Sequence, residues 1–81
     1  AHNKPVIDLE DLKPGVVKVF VNKKWTTENY TDHYWIVEGD FVFDEELILK
    51  FKDKSEINVK LVIWDKNKPE SVTGVERIVY K

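Results

Sequence analysis

ELILKFKDKSEINVKLVIWD, from Glu46 to Asp65, alternates apolar and polar residues through two runs separated by a charged turn. Leu47, Leu49 and Phe51 fall on one side, and Ile48, Lys50 and Lys52 on the other. After the turn, Ile57, Val59, Leu61 and Ile63 share one face, while Asn58, Lys60, Val62 and Trp64 share the opposite one. Successive strand side chains alternate across a sheet, so each run reads as a half-buried β-strand with a defined core face. The short spacer predicts an antiparallel hairpin. A four-residue loop at Asp53–Glu56 would set Leu49 opposite Lys60 and mix the faces, so an odd loop or a bulge is expected. The outer face of that hairpin carries a lysine stripe, Lys50, Lys52 and Lys60, ending in Trp64.

The same reading extends outward along the chain. Pro5 to Leu9 is an edge strand, because a proline cannot donate to a ladder, and Asp8 to Leu12 can form one helical turn. Lys13-Pro14-Gly15 is a turn signal. Val16 to Val21 is a strand dense in β-branched residues. Trp25 to Asp32 is polar and irregular yet contains Trp25 and Tyr30. A strand over Tyr34–Glu38 and a turn at Gly39-Asp40 lead into an extended stretch over Phe41–Phe43. Asp44-Glu45-Glu46 resembles a helix start with Asp44 as N-cap, but the alternation through Phe51 favours a strand, and the helix is kept as the alternative. Asn67 to Ser71 reads as a loop and Val75 to Tyr80 as the final strand. Six or seven strands without sustained helical periodicity predict one all-β domain over 1–81, a small immunoglobulin-like antiparallel sandwich, with an OB-like small barrel as the alternative.

Composition narrows the function. The 81 residues contain no cysteine, which removes disulfides, thiolate metal sites and a cysteine nucleophile. The net charge is −2, and Arg77 is the single arginine among 13 basic residues. That balance argues against a dedicated duplex-DNA binder, which shows a basic excess and bidentate arginines. No apolar run approaches the ~20 residues that a membrane-spanning helix needs, so no membrane insertion is expected. His2 and His33 are the only imidazoles, Ser55 and Ser71 lack a nucleophile-elbow context, and no phosphate-cradling glycine motif is present. An enzyme is not expected, and neither is a cofactor. Asp40, Asp44, Glu45 and Glu46 cluster, as do Asp8, Glu10 and Asp11, but neither set has calcium-loop spacing, and both read as surface acids rather than a metal site.

The aromatic residues are the stronger signal. Tyr34 and Trp35 are adjacent on a strand and must face opposite sides, which puts Trp35 in the core and Tyr34 outside. Trp25, Tyr30, Tyr34 and Trp64 are the candidate contact residues, since an exposed ring can stack on a sugar or base, or anchor a protein interface. Val6-Ile7-Asp8-Leu9-Glu10-Asp11-Leu12-Lys13-Pro14-Gly15-Val16, with Lys60-Leu61-Val62-Ile63-Trp64-Asp65 later, resembles the first and third strands of replication-protein-A-type OB-folds. That resemblance implies single-stranded nucleic-acid binding through Lys50, Lys52, Lys60 and Trp64. Only 16 residues follow Asp65, too few for the helix and two strands such a fold places there. The preferred expectation is therefore a non-catalytic module with a protein or polysaccharide partner in a larger extracellular or phage-type assembly. Single-strand binding is the first alternative, and a structural spacer or engineered scaffold the second.

Overall fold

Alternating sequence becomes strand throughout the computed structural model, which describes residues 5–22 and 30–81. The strands are β1 (Ile7–Lys13), β2 (Val16–Val21), β3 (Asp32–Val37), β4 (Asp40–Val42), β5 (Leu47–Lys50), β6 (Glu56–Asp65) and β7 (Lys68–Tyr80). They form a three-stranded sheet, order β1-β2-β5, and a four-stranded sheet, order β4-β3-β6-β7, antiparallel at every pairing. The architecture is an all-β sandwich. Its two sheets stay separate, which sets aside the OB-like barrel.

The decisive stretch is corrected in one respect. β5 and β6 do not pair with each other. β5 pairs with β2, with Leu49 opposite Val17 and Leu47 opposite Val19, whereas β6 lies between β3 and β7. Residues 51–55 carry the chain from one sheet to the other. They turn where Lys54 N donates to Phe51 O at 2.8 Å and Lys52 adopts a left-handed φ of 52°. The expected odd-length hairpin loop is therefore not formed. All seven residues read as the core face are nonetheless buried. Alternation specifies which side of a strand is apolar, and two strands facing each other across a core satisfy it as well as two lying side by side.

Ile7, Val17, Val19, Leu47 and Leu49 from one sheet meet Trp35, Ile57, Val59, Leu61, Ile63 and Val79 from the other, with Phe51 at the crossover. Among the described residues no polar side chain is buried. Trp35 is fully enclosed, and its indole Nε1 donates to Asp44 O at 3.1 Å and Glu45 O at 3.3 Å. Those carbonyls would run along the axis of a helix starting at Asp44. Held by Trp35 instead, with Leu47 and Leu49 drawn into the core, the segment is a bend leading into β5.

Three further expectations shift. β1 extends to Lys13, with a register shift between Asp11 and Lys13, because β2 supplies cross-strand partners from Ile7 through Asp11, so the helical turn at Asp8–Leu12 does not form. β3 begins at Asp32. β7 begins at Lys68 within the expected loop, and its early residues bulge opposite Trp64. The bulge is tied down where Asp65 N donates to Ser71 Oγ at 2.9 Å.

Candidate functional site

The two outer faces of the sandwich differ in chemistry. On the three-stranded sheet, Lys18 Nζ sits 3.5 Å from Glu10 Oε1, 3.9 Å from Glu46 Oε2 and 5.3 Å from the centroid of the Phe20 ring. The Asp8 carboxylate accepts from Leu9 N at 2.8 Å and Asn22 Nδ2 at 2.9 Å. Several charges on this side are answered locally, which describes a solvated face whose exposed pairs contribute little stability.

The outer face of the four-stranded sheet carries Asp32, Glu56, Lys60 and Glu76, and at one end it gathers aromatic residues. Trp35 faces the core opposite Leu61 and Val42, so the neighbouring positions Tyr34, Ile36, Phe41 and Val62 face outward. Phe43 and Trp64, with Val72 from β7, continue the same surface, whereas Ile78 and Tyr80 stand opposite Asn58 and Glu56, beyond Lys60 and Glu76. Phe43 is 74% exposed, Tyr80 68%, Phe41 59% and Val72 58%, on positions where alternation in an isolated sandwich would put polar residues. Tyr34 is the hub of the aromatic end. Its ring centroid lies 5.5 Å from Phe41, 5.8 Å from Phe43 and 5.9 Å from Trp64, with ring planes inclined by 43°, 61° and 64°. The tight turn after β3, with φ of 50° at Glu38 and 87° at Gly39, returns the chain directly, which is why β4 delivers Phe41 beside Tyr34.

Lys60 crosses this face. It is opposite Glu76 in register, yet its Cε lies 3.3 Å from where a Cβ on Gly74 would stand, so the stem rests over the bare glycine backbone. Among the described residues Lys60 and Glu76 close no ion pair.

The structure therefore brings Tyr34, Trp64 and Lys60 together and separates the rest of the expected set. Lys50 is on β5 in the opposite sheet, and Lys52 is in the crossover, so the lysine stripe is divided between two sides of the molecule. Tyr30 is half-buried against the core. Trp25 lies outside the described residues. Phe41, Phe43, Ile36, Val72, Ile78 and Tyr80 join the surface without being contact candidates in the sequence reading. Their signal is present as apolar residues two apart, Phe41 with Phe43 and Ile78 with Tyr80, each pair needing a known partner strand to assign its face.

Elsewhere, a shallow depression of about 390 Å³ lies between the β1–β2 turn and the C-terminus, lined by Leu12, Pro14, Phe51 and Lys81 among others. Among the described residues no three acidic or imidazole groups converge as metal ligands, and no helix is long and apolar enough to cross a membrane. Comparison with protein-family models, curated proteins and solved structures gave no significant match.

Proposed function

We propose that the chain is a non-catalytic module that holds a protein partner against the outer face of its four-stranded sheet, within a larger extracellular or phage-type assembly. The observation that carries this reading is the exposed apolar cluster of Phe41, Phe43, Tyr34, Val62 and Trp64, with Val72 of β7 beside it, because soluble monomers rarely expose a large apolar patch without a use for it. The cluster resembles the centre of a protein interface in its aromatic and aliphatic residues, with Asp32, Lys60 and Glu76 at its border as a polar rim. An immunoglobulin-like relationship is part of the proposal. It is supported by the three-plus-four strand order and by the buried tryptophan on the third strand.

Two other ligands fit less well. Stacking on a sugar needs flat, accessible rings flanked by hydrogen-bonding groups. Here Tyr34, Phe41, Phe43 and Trp64 pack edge-on or tilted, and Ile36, Val62 and Val72 adjoin them. A single nucleic-acid strand needs aromatics and cations along one groove, whereas Lys50 and Lys60 lie on different sheets.

The test is site-specific photo-crosslinking in the producing cells, with benzoylphenylalanine at Phe43 or, as the control, at Ile48 on the opposite sheet. Covalent capture of a discrete protein from Phe43 but not from Ile48 is the expected result. Retardation on a polysaccharide gel that disappears in Tyr34→Ala would move the site to carbohydrate. Steeply salt-dependent oligonucleotide retention lost in Lys60→Ala would move it to nucleic acid.

A further inference from the structure

We infer that the free edge of β7, from Val72 to Tyr80, is a docking edge where an extended segment of the protein partner adds to the four-stranded sheet as a new outer strand. The inference rests on the reading of the chain as a protein-binding module, but it concerns the backbone edge rather than the aromatic face.

Hydrogen-bond parity identifies the open groups. Lys81 N donates to Ser55 O at 2.9 Å, and these residues stand opposite each other in the β6–β7 register. Residues of the same parity, Thr73, Val75, Arg77 and Val79, therefore exchange bonds with β6. Val72, Gly74, Glu76, Ile78 and Tyr80 direct their N–H and C=O groups away from the sheet. This is a ladder waiting for a partner strand.

The other three edges are short or blocked. β4 spans only Asp40–Val42 and β5 only Leu47–Lys50. On β1 the same parity argument points Ile7 and Leu9 outward, and the Ile7 C=O and the Leu9 N–H are both occupied. Arg77 Nη1 donates to Ile7 O at 2.6 Å, and Leu9 N donates to the Asp8 carboxylate at 2.8 Å. Natural sheets guard long edges with charges, prolines, bulges or capping side chains. β7 has its proline and its bulge only at the start, at Pro69 and opposite Trp64, and from Thr73 onward its register is regular. β1 thus has outward backbone groups already bonded, whereas β7, although it carries Glu76 and Arg77, keeps a regular run of outward backbone groups open, the asymmetry expected when one edge is kept for use.

Side chains on the edge define the occupant. Val72, Ile78 and Tyr80 project onto the outer face as exposed apolar side chains, Gly74 leaves that face bare, and Glu76 presents a carboxylate without an ion pair among the described residues. The matching segment is extended, carries apolar residues at alternate positions on the aromatic side, and has a lysine or arginine opposite Glu76. Main-chain bonds would supply affinity and the alternate side chains specificity, the mode of strand-addition modules.

The probe is a synthetic peptide of alternating valine and threonine with a central lysine, long enough to span Val72 to Tyr80. Its control is the same peptide N-methylated on the amides that would face β7. Amide hydrogen exchange on the full chain is the readout. At ~10 times the dissociation constant the peptide should slow exchange at Gly74, Glu76 and Ile78 about tenfold, and the methylated control should not. Glu76→Pro, which removes an outward N–H and spares the β6 ladder, should fold and lose the protection. Absence of protection at millimolar peptide, or equal protection by the methylated form, would overturn the docking edge. So would a concentration-dependent dimer, seen by ultracentrifugation and abolished in Glu76→Pro, because the occupant would then be a second copy. Crosslinking from Phe43 is independent of all these outcomes, so failure of the edge leaves the protein-binding face standing and can be told apart from its failure.

Discussion

Trp35 does two jobs in one side chain. It fills the centre of the core from β3, and its Nε1 holds the carbonyls of Asp44 and Glu45 so that the segment before β5 bends instead of coiling. His33 packs edge-on to it at 5.7 Å and lies within hydrogen-bond distance of Glu45 O at 3.0 Å. Trp35→Ala should cost about 3–5 kcal/mol, as large aromatic deletions do. Trp35→Phe keeps most of the volume but removes the indole donor from Asp44 O and Glu45 O, with His33 still beside the latter, and a smaller loss of about 1–3 kcal/mol is expected. Urea denaturation resolves the two. Equal losses would mean the hydrogen bonds contribute nothing beyond the packing. Burial of Trp35 and exposure of Tyr34 can be read from sequence, because adjacent strand residues must face opposite ways. The indole's bond to the next loop cannot, since it depends on where residues 44 and 45 come to rest.

Edge behaviour belongs to the scale of the element. β7 is a 13-residue strand with two unlike sides, one bonded to β6 and one open. Val75→Pro removes an N–H that the register assigns to the β6 ladder and should cost about 3 kcal/mol. Glu76→Pro, one residue along, removes an outward N–H and should cost less than about 1 kcal/mol, since prolines are tolerated on open edges. Thermal unfolding of the two variants compares them directly, and similar losses would refute the assigned parity. Arg77 ties β7 in one sheet to β1 in the other, reaching Ile7 O at 2.6 Å. Arg77→Leu should cost about 1.5–3 kcal/mol as a charge-assisted bond, read from the shift in the denaturation midpoint. From sequence, β5 and β6 are legible as elements in the alternation of Leu47, Leu49 and then Ile57 to Ile63. The long reach of β7 is hidden by Asn67, Pro69 and Ser71, residues that read as a loop and prove to be a turn followed by a bulge.

At the scale of the whole molecule, both outer faces of the sandwich carry charges, and the four-stranded sheet adds an exposed aromatic cluster at one end. Phe43→Ser and Tyr80→Ser remove exposed rings outside the core and should each change stability by less than about 0.5 kcal/mol, measured by thermal unfolding, while reducing partner capture. A large loss of stability instead would make those rings part of the fold. The sequence by itself determined that the chain is all-β and which side of most strands is buried, because period-two alternation is a local property of the chain. It could not determine that the runs on either side of Asp53 belong to different sheets, since the same alternation serves partners in the plane and partners across the core. Tertiary pairing alone sent Lys50 to one face and Lys60 to the other, gathered Tyr34, Trp64, Phe41 and Phe43 from β3, β6 and the end of β4, and left one edge unguarded. The inward list for Glu46–Asp65 was written in the residues; the site on its outward side was assembled by the sheets.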